Sequence, residues 1–171
     1  MIDTASSTPS LPNQRISPRR STSNYSLPVY SLKLIRERTV RYRSTIDSPE
    51  AAAAAVLRVM AADADREHFI VLFLNTAKEL IGAHVAFIGS LNAVGTVTAR
   101  EVFKAAIVAN ASAIILGHNH PSGDVQPSPQ DQTTTDHLVE ASKVVGIPIL
   151  DHVIVGGDSE PYSFYVNGRL P

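Results

Sequence analysis

The residues best suited to chemistry lie between positions 117 and 131. The pattern is His118, one residue, His120, seven residues, Ser128, two residues and Asp131. Side chains of an extended chain alternate with a period of two, so both imidazoles can face one ion. Two nitrogens and one carboxylate leave the fourth position of a tetrahedral zinc ion open for water, as in catalytic zinc sites. The spacing therefore predicts a metal centre held by His118, His120 and Asp131.

Each of these residues also has a simpler interpretation. Paired histidines in a loop rich in Pro and Gly can serve only as backbone hydrogen-bonding groups. Ser128, Pro129 and Asp131 suit the N-cap, N1 and N3 positions of a helix without any metal. Both interpretations can hold together, because a capped helix beside the histidine loop is a rigid support for the carboxylate.

The elements around this segment predict an α/β fold with a mixed sheet flanked by helices. Residues 113–117 form a buried strand that delivers the histidines at its carboxyl end, where ligand sites of open α/β sheets usually lie. The helix that starts at Ser128 ends near Val145, before Gly146 and Pro148. The other predicted elements are strands at 29–35 and 39–42, a helix at 49–62, strands at 68–74 and 84–89, a helix from the capping box Thr98–Glu101 to about 110, and strands at 149–155 and 162–166.

Composition indicates one domain and a tail. A chain of 171 residues with 44% hydrophobic residues fits a single domain at 29–171 after a disordered, basic, Ser/Pro-rich tail at 1–28. Up to Ser44 there are 8 Lys and Arg against 2 Asp and Glu, whereas the rest has 7 against 14. The tail could therefore touch nucleic-acid phosphates, although a solvated tail is the simpler interpretation. The acidic domain argues against broad binding of nucleic acid.

Three absences narrow the class further. The chain has no cysteine, which excludes disulfides and thiolate ligands. It also excludes the Pro-Cys-x-x-Cys half of a zinc deaminase signature. No apolar run approaches the roughly 20 residues of a membrane span, and the start lacks a signal-peptide core. We therefore expect a soluble, cytoplasmic protein without a membrane partner.

Taken together, these residues resemble the RadC family and its JAMM (MPN+) metalloprotease motif. The similarity covers about Tyr30 to Gly168 and rests on Arg66-Glu67, Gly89-Ser90-Leu91-Asn92, Arg100-Glu101-Val102, residues 111–124, and Leu150-Asp151-His152 with Gly156. It implies a JAMM/MPN-like, cytidine-deaminase-like fold, one zinc ion on His118, His120 and Asp131, and Glu67 as catalytic acid/base. The helix-hairpin-helix region of long members is missing, so the short form is expected. Asn75 and Gly117 stand where Asp and Ala are usual.

The implied reaction is hydrolysis of an amide bond in a peptide or protein substrate. Zinc lowers the pKa of a bound water to about 7. Glu67 would take the proton of that water and pass it to the leaving amine, while Ser128 would donate to the oxyanion. A solvated acid paired with Arg66 is the structural alternative for Glu67.

Other polar residues have both a functional and a structural interpretation. Asp151 and His152 could hold a ligand imidazole, or His152 could be an ordinary core histidine. The capping box explains Glu101. His68, His84 and His137 match no motif and are expected to be structural or exposed.

A competing function belongs to a different class. The RadC resemblance and the basic tail also fit a protein of DNA repair or recombination that binds or acts on DNA. In that case salt-dependent DNA affinity should vanish without the residues up to Arg43, and a nuclease activity at the zinc would favour this alternative.

Overall fold

The computed structural model describes residues 27–42, 45–60, 65–89 and 97–170. The helices and strands within these ranges follow in the order α1 (Pro49–Met60), β1 (His68–Leu74), β2 (Leu80–Ile88), α2 (Ala99–Val108), β3 (Ala113–Asn119), α3 (Pro129–Val145), β4 (Ile149–Val155) and β5 (Tyr162–Ser163). All of them belong to one compact unit, Leu32–Pro171. The α/β class predicted from the sequence is confirmed.

The strands form one mixed sheet in the order β2-β1-β3-β4-β5. Strands β3 and β4 run parallel, and the other neighbouring pairs are antiparallel. Because β1 and β3 are antiparallel with Phe69 opposite His118, the start of β1 lies beside the end of β3. This register brings Glu67, just before β1, next to His120, just after β3.

The two faces of the sheet bury different side chains. Strand β1 is buried along its whole length, so alternate residues must pack on opposite sides. One face, which we call the α2/α3 face, packs against α2 and α3 and includes Phe69, Val71, Phe73, Ile114, Leu116 and Ile154. The opposite face, the α1 face, packs against α1 and includes Ile70, Leu72, Leu74, Ile115 and Val153. His118 continues the alternation of Ile114 and Leu116, so it belongs to the α2/α3 face.

Gly117 has a packing reason on the α1 face. A Cβ at this position would lie 2.3 Å from Cγ2 of Val56, a distance that no real Cβ contact reaches. Helix α1 can therefore approach β3 this closely only because position 117 has no side chain.

Local signals fix most element ends. Ser48 Oγ accepts from Ala51 N at 3.2 Å, as expected of the residue that precedes α1. Gly146 ends α3 with φ +77°, a left-handed conformation that favours glycine. Asn75 Oδ1 accepts from the amides of Ala77 and Glu79, which closes the turn between β1 and β2.

The strands predicted at 29–35 and 39–42 are wrong. The structure gives those residues no strand, and the side chains of Leu32, Leu34 and Ile35 are 75%, 56% and 87% exposed. An alternating pattern specifies a strand only where one face has something to pack against. Strand β5 is also shorter than predicted, because residues 164–168 turn. The disorder predicted for 1–28 lies almost entirely outside the described residues.

The described helices include none that is long and apolar enough to cross a membrane.

Candidate metal centre

His118, His120 and Asp131 meet at the carboxyl end of β3. His118 comes from the strand, His120 follows it, and Asp131 lies in the first turn of α3. His118 Nε2 is 3.0 Å from His120 Nε2 and 3.3 Å from Asp131 Oδ1, and His120 Nε2 is 3.4 Å from Asp131 Oδ2. Among the described residues these three form a group able to hold a metal ion. The structure thus brings together the three residues selected by spacing.

These separations suit a small tetrahedral cation. Zinc bonds of about 2.0–2.1 Å at tetrahedral angles place neighbouring donor atoms about 3.3 Å apart. The two imidazole nitrogens are 3.0 Å apart, and each lies at a similar distance from one oxygen of Asp131, His118 3.3 Å from Oδ1 and His120 3.4 Å from Oδ2. The donor set of two imidazoles and one carboxylate is also one that zinc uses. The residues present therefore fit the metal implied by the sequence.

His120 is oriented by the backbone of its own loop. Its Nδ1 donates to the carbonyl oxygen of Asp124 at 2.6 Å, which leaves Nε2 facing the site. The loop is held by a turn in which Gly123 N donates to His120 O at 3.0 Å. It also lies against Gly156, where a Cβ would be 2.6 Å from Gly123 O. Glycine after β4 therefore lets the histidine loop pack against the sheet.

His118 is oriented by side chains. It is fully buried, and its ring is stacked on Phe69 with centroids 5.9 Å apart and an angle of 9°. Its Nδ1 lies 2.8 Å from Nε2 of His152, another fully buried histidine, so His152 is the partner of a ligand imidazole. Burial lowers the pKa of His152 well below its ordinary value, which keeps that ring neutral.

Asp151 has a different task from its neighbour. Its carboxylate accepts from Ser163 Oγ at 2.7 Å and from the backbone amides of Tyr165 and His152 at 3.0 and 2.7 Å. These bonds fix the turn that follows β5. Of the two residues singled out in the sequence, His152 therefore contacts the metal centre, and Asp151 supports the fold next to it.

Asp131 is both a helix cap and a member of the metal group. Its Oδ2 accepts from Ser128 N at 2.8 Å and from Ser128 Oγ at 2.6 Å, while its own amide donates to Ser128 Oγ at 3.2 Å. Burial alone would raise the pKa of this carboxyl. The contacts with the imidazoles of His118 and His120 and the hydrogen bond from Ser128 outweigh burial and bring the pKa far below its ordinary range. Asp131 is therefore a carboxylate whose position is fixed by the start of α3.

The cluster needs a positive charge. The Nδ1 hydrogen of His120 is committed to a carbonyl, so a second hydrogen on its Nε2 would make the ring cationic. The pKa of His120 is raised, first by its hydrogen bond to Asp131 and against the effect of burial, and the charge of Glu67 adds to the increase. A proton or a metal ion can supply the missing charge, and the two should compete for the same atoms.

Glu67 stands at the exposed edge of this cluster. It precedes β1 opposite His120, and its charge reaches that imidazole. Two contacts fix the segment around it: Asn119 Oδ1 accepts from His68 N at 2.8 Å, and Asn119 Nδ2 donates to Arg66 O at 3.0 Å. The backbone oxygen of Glu67 also accepts from Gly89 N at 2.8 Å. The acid proposed as general base thus lies on a pinned segment beside the histidines.

Asn119 and Thr135 contribute to this region although the sequence assigned them no role; Asn119 lies in the stretch at 111–124 that carries the family resemblance. An amide between two candidate ligands was an available signal for Asn119, since its side chain points away from both imidazoles and can bind a neighbouring strand. Thr135, four residues after Asp131, gave no distinguishing signal. The remaining histidines lie outside the cluster: His68 is buried, and His84 and His137 are exposed.

Comparison with known proteins identifies the family. Residues 46–169 match the model of the RadC-like JAB domain. A UPF0758 protein of Rubrobacter xylanophilus is 48% identical over 114 residues, which cover 67% of this chain and 49% of that protein. The chain thus spans about half the length of that relative. The UPF0758 protein YfjY of Escherichia coli is 43% identical over 136 residues, or 80% of this chain and 81% of YfjY. The chain therefore belongs to the RadC-like JAB domain family.

Proposed function

We propose that this protein is a zinc-dependent metallohydrolase that cleaves amide bonds in a peptide or protein substrate. The observation that carries the proposal is the convergence of His118, His120 and Asp131, which offer one ligand atom each within 4.8 Å of one another, with the two Nε2 atoms 3.0 Å apart. Three protein ligands leave one tetrahedral position for water or substrate, which distinguishes catalytic from structural zinc sites.

His118, His120 and Asp131 would hold the zinc ion, which would supply Lewis acidity and make water easier to deprotonate near neutral pH. The residues around it have separable tasks. Hydrogen bonds at Nδ1 hold each imidazole with Nε2 towards the ion. The carboxylate of Asp131 stays ionised because its hydrogen bonds outweigh its burial.

Glu67 is the proposed proton carrier. It sits beside His120 at the mouth of the cluster and is exposed, so water and substrate can reach it. It would accept a proton from the attacking water and return it to the leaving amine, a role that requires about 2.6–3.2 Å to each in the reacting complex. This assignment follows the sequence resemblance and is supported by the register of β1 and β3.

Ser128 is the proposed oxyanion donor, and it has a competing partner. Its hydroxyl hydrogen goes to Asp131 Oδ2 at 2.6 Å. A serine hydroxyl has one hydrogen, so Ser128 can serve either Asp131 or an oxyanion at a given moment. Loss of an oxyanion donor typically costs about 100- to 1,000-fold in kcat, which makes the Ser128→Ala variant informative.

Metal content and a matched glutamate pair test the proposal. Purified protein should contain about one zinc per chain, and Glu67→Gln should retain the metal while kcat on a peptide panel falls about 100- to 10,000-fold. The control is Glu79→Gln, at the far end of β1, where the carboxylate takes a bond from Asn75. Equal activity of the two variants, or a protein without zinc, would contradict the proposal.

A substrate panel separates amide hydrolysis from the DNA-associated alternative. Peptides, an isopeptide-linked pair and both single- and double-stranded DNA should be incubated with wild type and Asp131→Asn. We expect cleavage of an amide substrate that depends on Asp131. DNA cleavage with the same dependence, and no amide cleavage, would overturn the peptidase assignment. Affinity for DNA tested with and without the basic segment up to Arg43 would reveal a role of the tail, which lies largely outside the described residues.

A further inference from the structure

A chain of hydrogen bonds runs behind the metal centre from one proposed ligand to another. His118 Nδ1 lies 2.8 Å from His152 Nε2, and His152 Nδ1 lies 2.7 Å from Thr135 Oγ1. Thr135 Oγ1 in turn lies 2.6 Å from the backbone oxygen of Asp131. The chain thus starts on a ligand of β3, crosses β4, and ends on the residue of α3 that supplies the carboxylate.

The acceptor at the end of the chain fixes the direction of every bond. A carbonyl can only accept, so the single hydroxyl hydrogen of Thr135 goes to Asp131 O. Thr135 Oγ1 must then accept from His152 Nδ1, which carries the hydrogen of that neutral ring. The lone pair on His152 Nε2 accepts in its turn from His118 Nδ1. His118 is therefore held as the tautomer whose Nε2 can bind a metal.

The surroundings make these bonds hard to replace. His118 and His152 are fully buried and Thr135 is 1% exposed, so solvent has little access to the chain. The ring of His152 stacks on Phe164 with centroids 4.8 Å apart and an angle of 14°, and it lies 5.4 Å from Phe69. A polar atom that loses its partner in such an apolar setting stays unsatisfied.

We propose that His152 and Thr135 are positioning residues that fix the tautomer and ring orientation of His118 for metal binding. The proposal rests on the metal site of the proposed function. It adds that metal affinity depends on two residues that do not touch the ion and that join β3, β4 and α3. The chain also couples two of the proposed ligands, His118 and Asp131, since Asp131 contributes its carboxylate to the site and its carbonyl to the orientation of His118.

Four variants separate the hydrogen bonds from the packing. His152→Phe keeps an aromatic ring between Phe69 and Phe164 but removes both nitrogens. His152→Gln restores one acceptor and one donor at a similar separation. Thr135→Val removes the hydroxyl, and Thr133→Val is its control, because Thr133 Oγ1 makes the same bond to Pro129 O at 2.9 Å on the exposed side of α3.

Zinc affinity, measured by competition with a chelating indicator, is the first readout. We expect His152→Phe to bind zinc about 10- to 100-fold more weakly, the range typical when the partner of a metal ligand is lost. His152→Gln should recover most of the loss, and Thr135→Val should fall between wild type and His152→Phe. Unchanged affinity in His152→Phe, or an equal loss in Thr133→Val and Thr135→Val, would overturn the proposal.

The tautomer of His118 is the second readout and needs no metal. Nitrogen-15 NMR of the imidazoles in metal-free protein, at mildly alkaline pH where histidines are neutral, reports which ring nitrogen carries the hydrogen. His118 should be the Nδ1–H form in wild type and a mixture in His152→Phe and Thr135→Val. Thr135→Val leaves the aromatic stack intact, so the test survives a His152→Phe chain that does not fold.

The two readouts distinguish the possible failures. A wild-type chain that binds no zinc but shows the expected tautomers would overturn the proposed function and support the positioning role. A His118 tautomer that is the same in wild type, His152→Phe and Thr135→Val would overturn the positioning role whatever the zinc titration gives.

Discussion

Helices α2 and α3 begin with the same local device but have different neighbours. In α2 the amide and hydroxyl of Thr98 donate to Glu101 Oε2 at 2.9 and 3.0 Å. In α3 the amide and hydroxyl of Ser128 donate to Asp131 Oδ2 at 2.8 and 2.6 Å. Glu101 is exposed, whereas the side chain of Asp131 is 14% exposed and faces two imidazoles. The capping pattern predicts a helix start in both places, and only the neighbourhood decides whether its acid can bind a metal.

The buried side of α3 is also more polar than that of α2. The buried residues of α2 are Val102, Phe103, Ala105 and Ala106, all apolar. Those of α3 are Thr134, Thr135, Leu138 and Ser142, of which three carry hydroxyls. Helix α2 therefore contributes packing to the α2/α3 face, while α3 contributes packing and one hydroxyl, that of Thr135, which contacts His152.

The largest expected difference between the helices is in zinc binding. Asp131→Asn should weaken zinc affinity by more than the about 100-fold seen for strong partners of a ligand, because a ligand charge is lost. Glu101→Gln should leave affinity unchanged. Both variants keep an oxygen that can accept at the cap, so Glu101→Gln should change the free energy of unfolding by no more than about 1 kcal/mol, whereas Asp131→Asn should destabilise more because it also removes the charge that faces two imidazoles. Competition titration and thermal unfolding of both proteins measure this, and similar zinc affinities would contradict the comparison.

Acid should destabilise the metal-free chain because His152, which is fully buried and contacts Thr135 of α3, binds a proton more readily when the chain is unfolded. Burial holds the pKa of folded His152 well below 6.5, whereas the unfolded chain accepts a proton near that value. Lowering the pH below about 6.5 therefore favours unfolding by up to about 1.4 kcal/mol per pH unit, until the folded form of His152 also takes up its proton. His120 does not add to this loss, because its pKa is raised in the folded chain and the folded form binds its proton more readily than the unfolded form, and Asp131 stays ionised in the folded chain.

Denaturant unfolding of wild type and His152→Gln across this pH range checks the prediction. As the pH falls, the free energy of unfolding of wild type should decrease more steeply than that of His152→Gln. The difference in slope should correspond to the uptake of about one proton, or about 1.4 kcal/mol per pH unit. Parallel curves would show that His152 takes up its proton equally in both states.

The elements that the sequence predicts well are those whose ends carry local signals. The start of α3 at Ser128 and its end at Gly146 were predicted, as were α2 and the buried strands β1 and β3. The segments at 29–35 and 39–42 have strand-like alternation but no surface to pack on, so the pattern misled there. Local sequence cannot tell whether a pattern will find a partner.

The residues of the site also fall into those that local sequence predicts and those that depend on the fold. His118, His120 and Asp131 lie within 14 residues, so spacing and a helix cap were enough to find them. The contacts of Asn119 with residues 66–68 and of His152 with Thr135 depend on the order and register of the sheet. The sequence close to these residues does not specify that register. For this reason the sequence left two roles open for His152, as the partner of a ligand or as a core histidine, and indicated no role for Thr135.

Displacing the histidine loop, with both caps intact, should have an intermediate effect. A Cβ added by Gly156→Ala would lie 2.6 Å from Gly123 O and 3.1 Å from Gly123 Cα, so the loop that holds His120 must move. We expect zinc affinity to fall about tenfold, or about 1.4 kcal/mol. Gly82→Ala in β2 is the control, since its Cβ would make an ordinary contact with Phe73 at 3.4 Å. Equal affinities of the two variants would show that the loop adapts without moving His120.

Removing the hydroxyl of the N-cap residue should have the smallest effect on zinc affinity. It also gives the closest comparison of α2 and α3, because the same group is removed from each helix. Ser128→Ala and Thr98→Ala each remove a hydroxyl that donates to the acid three residues later. Each should lower the free energy of unfolding by about 1 kcal/mol, measured by denaturant titration. Only Ser128→Ala should also weaken zinc binding, by a few fold, because Asp131 then has one fewer bond fixing its orientation. If Thr98→Ala weakened zinc binding as much, the loss would reflect general destabilisation. The hydroxyl of Ser128 would then make no contribution to zinc affinity, and Asp131 would be the functional residue at the start of α3.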